Sequence, residues 1–110
     1  MRKNILLLAL SLTFLACGGV KKTQEALNYG NYDNAIEIAL KHLRNNKTKK
    51  SNQSYVLMLE EAFIKVTNRD LEKIAFLKKD ANLANLETIY SLYSLLENRQ
   101  EKIKPLLPLP

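Results

Sequence analysis

Tryptophan is absent from this 110-residue chain, cysteine and histidine occur once each, and glycine and proline three times each. A single thiol has no partner for a disulfide within the chain, and one cysteine with one histidine cannot assemble a Cys/His metal site. A Ser-His-Asp or Cys-His triad gains no support from a sole histidine, His42. Gly18, Gly19 and Gly30 form no glycine-rich phosphate loop, and no Asn-Gly pair signals a β-hairpin. The three prolines all fall at the end, at Pro105, Pro108 and Pro110, so nothing in the interior breaks a helix.

The one cysteine sits in an informative place. Met1-Arg2-Lys3-Asn4 is a basic start, Ile5 to Leu15 is an apolar run, and Ala16-Cys17-Gly18-Gly19 follows. The run is shorter than the roughly 20 residues that a spanning helix needs, and has the length of a secretory signal. Phe14-Leu15-Ala16-Cys17 resembles the lipobox of bacterial lipoprotein signal peptides, with its obligatory Cys and small preceding residue, although Phe14 and Leu15 depart from the usual upstream residues. The resemblance implies cleavage after Ala16 and a diacylglyceryl thioether, usually with an added acyl chain such as palmitate, on Cys17. The residues themselves leave two alternatives open: a secreted protein cut after Ala16, or an uncleaved anchor with a buried free thiol. Gly18 follows the cysteine where lipoproteins retained in an inner membrane often carry Asp, which by resemblance favours an outer membrane and its periplasmic face.

The division expected from these signals is a signal peptide over 1–16, an anchor and short linker over 17–22, a helical domain over 23–104, and an extended Pro/Leu tail over 105–110. Cleavage leaves about 94 residues, one small domain with an apolar core. The formal charge is +6. Loss of Arg2 and Lys3 with the signal peptide leaves about +4, an excess suited to an anionic membrane surface or an acidic partner. Lys47, Lys49 and Lys50 are the tightest basic cluster and lie beside no aromatic platform, so they read as a solvated loop and not as a nucleic-acid site.

Apolar residues recurring at spacings of three and four make the remainder all-α, with about four helices in antiparallel hairpins after the signal segment. The first helix is expected from about Val20 to Tyr29, closed by Gly30 in the left-handed conformation. Asp33 is expected to cap a second helix whose stripe is Ala35, Ile36, Ala39, Leu40 and Leu43. After the polar stretch 45–52, the stripe Tyr55, Met58, Leu59, Ala62, Phe63, Val66 and then Leu71, Ile74, Leu77 predicts one unbroken helix to about Lys79. Asp80-Ala81-Asn82 with Asn85 supplies a turn and cap, and Leu86, Ile89, Tyr90, Tyr93, Leu96 and Ile103 are expected to share one face until Pro105.

Within this pattern, Gly30-Asn31-Tyr32-Asp33-Asn34-Ala35-Ile36 resembles the turn and second helix of a tetratricopeptide repeat. The resemblance implies a tight reversal at Gly30, Tyr32 wedged between helices, and Ala35 allowing close backbone approach. It covers one unit, about 21–46, and the first helix is short and lacks the family's early aromatic residue. The stretch from Leu86 to Leu109 resembles the N-terminal helical region of longer bacterial lipoproteins, which implies a truncated relative or an incomplete reading frame. Three leucines in the tail are expected to dock on the domain or on another chain.

Catalytic candidates are few. Adjacent Glu60 and Glu61 diverge on a helix, and His42 reads as a helix-face residue near a C-terminus. The sequence therefore points to a membrane-anchored, non-enzymatic protein-interaction module with no cofactor, no metal and no nucleic acid. The alternative reading is a structural spacer, or the front of a larger envelope lipoprotein.

Overall fold

The computed structural model describes residues 18–80 and 82–110, so the lipobox cysteine Cys17 and the signal segment lie outside the described residues. Among the described residues there are four α-helices: α1 over residues 18–28, α2 over Tyr32–Asn45, α3 over Gln53–Lys78 and α4 over Leu83–Ile103. No strand occurs among the described residues, and the protein is all-α. Helix α1 already includes 18–22, where a linker was expected. Within it, Thr23 Oγ1 donates to the Gly19 carbonyl at 2.7 Å, the i−4 bond by which a threonine satisfies its hydroxyl inside a helix. Gly19 also lies where a Cβ would meet the Tyr55 hydroxyl and stand 2.9 Å from His42 Nε2, so glycine permits that approach.

The α1–α2 turn follows from Gly30, whose φ is +76°. The Gly30 amide donates to the Leu27 carbonyl at 3.1 Å and the Asn31 amide to Ala26 at 2.8 Å, the paired bonds of a Schellman closure. A Cβ at residue 30 would meet nothing within 4 Å, so alanine there is opposed by backbone conformation alone. Gly30→Ala is expected to cost about 1 kcal/mol, read as a fall of roughly 4–8 °C in melting temperature; an unchanged melting curve would contradict the assignment. Asp33 is not the cap. Asn31 holds that position without a side-chain hydrogen bond, and Asp33 stands in the first turn of α2 with its carboxylate turned to α4.

The principal core joins α1, α2, the first half of α3 and the end of α4. Ala35, Ala39 and Leu40 are fully buried, packed with Leu27, Ile36, Leu43, Leu59, Ala62 and Val66. Small alanines at 35 and 39 remove the bulk that would hold α2 away from α3. Beyond this core, α3 and α4 continue alone as a two-helix hairpin with a small second cluster of Ile74, Ile89 and Leu92. Helix α3, at 26 residues and about 39 Å, is the longest element described.

Helix α3 is a single 26-residue helix, consistent with the absence of any breaker across Thr67–Asp70. The α4 face is corrected in part. Ile89, Leu92 and Ile103 are buried, whereas Leu86, Tyr90 and Tyr93, assigned to the same face, are exposed. Asn82 caps α4 by accepting the Ala84 amide at 3.1 Å.

The tail also departs from an extended form at its start. Lys104–Leu106 make one 3-10 turn, and only from Leu107 is the backbone extended. Leu106 is buried and Leu109 half-buried against the principal core. Lys47, expected in solvent, is half-buried and donates to the carbonyls of Leu106 at 3.0 Å and Pro108 at 3.1 Å. Its loop is held in turn by Gln53 Nε2, which donates to the carbonyls of Lys47 and Lys49.

Candidate functional site

Two features carry polar chemistry or open apolar surface: an arginine buried between three helices, and a groove beside the docked tail. Arg99 on α4 is 4% exposed. Its Nε and Nη2 donate to both Asp33 oxygens, at 2.7 and 3.0 Å, while Nη1 donates to Asp70 at 2.6 Å. Asp70 on α3 is equally enclosed, at 3% exposure, and also accepts from Arg69 Nε at 3.4 Å. The Arg69 guanidinium carbon lies 5.6 Å from the centre of the Tyr32 ring. Tyr32, read from the sequence as a wedge, is half-buried there, and Ala35 and Gly30 occupy the positions described above.

The hydrogen bonds from Arg99 hold the Asp33 carboxyl below the usual carboxylate range, against the opposing effect of burial, and raise the Arg99 pKa. Two acids thus converge, but on a guanidinium that occupies their lone pairs. Such an arrangement links helices. The sequence reading passed over it, yet a signal is present: Asp70 falls midway between Val66 and Ile74 on the inner stripe of α3, and Arg99 lies between Leu96 and Ile103 on that of α4. A charged residue at an inner position of each of two neighbouring helices points to a buried pair.

The sequence-stated residues are placed as follows. His42 stacks on Tyr55, with ring centres 4.1 Å apart and planes 6° from parallel, and touches no carboxylate in that stack. Burial raises the Tyr55 phenol pKa. Glu60 and Glu61 are both exposed, and Glu61 pairs with Lys65 at 2.9 Å. Among the described residues, no group of three or more His, Cys, Asp or Glu could hold a metal, and no helix is long and apolar enough to cross a membrane.

The groove is the better candidate for binding. Leu59 and Phe63 of α3, Ile103 of α4, and Leu107 and Leu109 of the tail form an open apolar channel of about 490 Å³. Glu60, Gln100, Glu101 and Lys104 stand around it, giving an apolar floor and a charged rim. The tail builds one wall, so the Lys47 bonds to it also shape the groove. The periodic pattern marked Leu59 and Phe63 as an inner face. It gave no means to see that Phe63 would be left half-buried beside the tail while Leu59 is buried.

Comparison with protein-family models, with curated proteins and with solved structures gives no match. The class defined by the structure is all-α, with an open apolar groove at the base of the hairpin among the described residues.

Proposed function

We propose that the chain is a lipid-anchored protein-interaction module of the cell envelope, tethered through Cys17 and binding through the groove. The observation that carries the binding half is the channel lined by Leu59, Phe63, Ile103, Leu107 and Leu109. Apolar floor with polar rim is the composition by which helical proteins receive apolar side chains of a partner. The anchoring half is supported by Phe14-Leu15-Ala16-Cys17 and the basic start before it. With acyl chains on Cys17, the helices stand on the membrane surface, and the outer membrane's periplasmic face is the favoured location. The tetratricopeptide-like turn at Gly30, Tyr32 and Ala35 fits an interaction role, setting the start of α2 against α3.

Photo-crosslinking in intact cells tests this reading. A benzophenone side chain at Leu107, 56% exposed at the groove, is expected to give discrete protein adducts. The same probe at exposed Lys41 on α2 serves as the comparison. Adducts at Leu107 and none at Lys41 support the groove; equal labelling at both, or lipid adducts alone, would remove the interaction role and favour a spacer.

A further inference from the structure

We propose that the end of the bundle from which the chain runs back to Cys17 is a membrane-contact surface, where exposed Lys21, Lys22, Arg44, Lys49 and Lys50 bind the anionic headgroups of a phospholipid bilayer. The inference rests on the anchoring half of the proposed function. It adds a second, electrostatic attachment that sets which end of the protein faces the membrane.

Three segments converge at this end. Gly18, the residue after Cys17, opens α1. A Cβ on Gly19 would meet the Tyr55 hydroxyl and the His42 ring, so the first turn of α1 packs against the last turn of α2 and the first turn of α3. The connecting loop 46–52 folds over the same place, where Asn52 Nδ2 donates to the carbonyls of His42 at 3.3 Å and Asn46 at 2.8 Å. Residues 18–22 and 44–53 thereby bring Lys21, Lys22, Arg44, Lys47, Lys49 and Lys50 together with no aspartate or glutamate among them. All 11 acidic residues of the chain lie elsewhere, where they outnumber the remaining cations of the described residues. The far end of α3 carries mixed charge, since Asp80 and Glu87 stand there with Lys78 and Lys79.

The cations at the basic end are uncommitted. Among the described residues, no carboxylate pairs with Lys21, Lys22, Arg44, Lys49 or Lys50, and all five are exposed. Glu25, one turn beyond Lys21 and Lys22, makes no ion pair with either, and Glu37 and Glu60 stand about 10 Å along their helices from Arg44 and Gln53. Lys47 is engaged by the tail carbonyls and is left out of the surface.

The potential of an anionic bilayer falls off over a Debye length, about 8 Å at physiological ionic strength. Acyl chains on Cys17 would hold Gly18 at the headgroups, and Lys21 and Lys22 lie within about 6 Å of it along α1. The contacts of Gly19 with His42 and Tyr55 bring Arg44 and the loop lysines to the same end. One lipid group with a polybasic patch is a two-signal attachment that outlasts either signal alone. A lipid surface is favoured over an acidic protein as the occupant because the tether and the basic residues share one end. Helix α3 then runs away from the bilayer, with Lys78 about 38 Å from Gln53.

The test uses the full chain extracted from its native membrane and reconstituted on vesicles carrying a headgroup-linked nitroxide, which quenches fluorescence only at short range. A coumarin amino acid replaces exposed Ser51 in one chain and exposed Leu83, beside Lys78 at the far end of α3, in another. On phosphatidylglycerol vesicles the probe at 51 is expected to be quenched and the probe at 83 is not. On neutral phosphatidylcholine vesicles, or in about 1 M salt, the quenching at 51 should be lost. Each cation at such a surface is worth about fivefold, so Lys49→Gln with Lys50→Gln should lower the contact equilibrium about 25-fold. Lys73→Gln with Lys79→Gln, at exposed positions remote from the basic end, should leave it unchanged. Equal quenching at 51 on anionic and neutral vesicles, comparable quenching at 83, or an equal effect of the two charge pairs would overturn the basic contact. Flotation with neutral vesicles in about 1 M salt reads the anchor separately. A chain that sinks there, yet is quenched at 51 on anionic vesicles, lacks the acyl chains and keeps the basic contact. One that floats there, with no preference for anionic lipid at 51, keeps the anchor and loses the contact.

Discussion

Replacing Arg99 with alanine is expected to destabilise the domain by about 3–5 kcal/mol, a large part of the stability of a chain this size. The cause is what remains behind. Asp70 would be left in a position only 3% exposed without its 2.6 Å partner, with the distant 3.4 Å contact to Arg69 as its remaining one. Asp33, whose side chain is 55% exposed, would be rehydrated and contributes little to the loss. Asp33→Asn should therefore cost under about 1 kcal/mol, and Arg99→Met combined with Asp70→Leu should recover most of the stability lost by Arg99→Ala. Urea titration followed by circular dichroism separates these variants. A loss below about 1 kcal/mol for Arg99→Ala would show that the cluster does not hold the helices together.

Acidity provides a second reading of the same cluster. The folded pKa of Asp33 lies below its ordinary value, so the stability it adds is present above about pH 4 and is lost as pH falls through the folded value. The wild-type chain should lose stability in that acid range, and Asp33→Asn should lose less of it.

How far the sequence foretells this structure differs from element to element. Helix α3 was legible because nothing between Gln53 and Lys78 breaks a helix, and the polar interval at 67–70 was too short to end one. Gly30 was legible because its position between two periodic stripes called for a left-handed residue. Helix α4 was only half legible. It carries two neighbouring apolar stripes, Ile89-Leu92-Leu96 and Leu86-Tyr90-Tyr93, and periodicity alone does not say which one faces α3 when the hairpin is only two helices thick. Asp33 looked like a cap because acids favour helix starts; its actual partner, Arg99, is 66 residues away. The tail's docking depended on Lys47 reaching carbonyls about 60 residues on, a contact with no local pattern.

Exchange of Cys17 for serine is expected to have the largest effect on where the protein resides. Each buried methylene contributes about 0.8 kcal/mol to membrane affinity, so the two or three acyl chains proposed on Cys17 would hold the protein on the bilayer, and their loss would release it. No described helix offers a replacement span. In detergent-phase partitioning, wild type is expected in the detergent phase and Cys17→Ser in the aqueous phase. Blocking signal-peptide processing should leave the longer precursor uncut. A serine variant that partitions with membranes as wild type does would count against lipidation.

The claim that joins fold to function is that this helical scaffold is displayed from a lipidated Cys17. Intact-mass spectrometry of the protein extracted from membranes measures it directly. The account predicts a chain beginning at Cys17 whose mass exceeds that of residues 17–110 by a diacylglyceryl group and, usually, one further acyl chain. A chain retaining residues 1–16, or one cut after Ala16 with a free thiol, would contradict it.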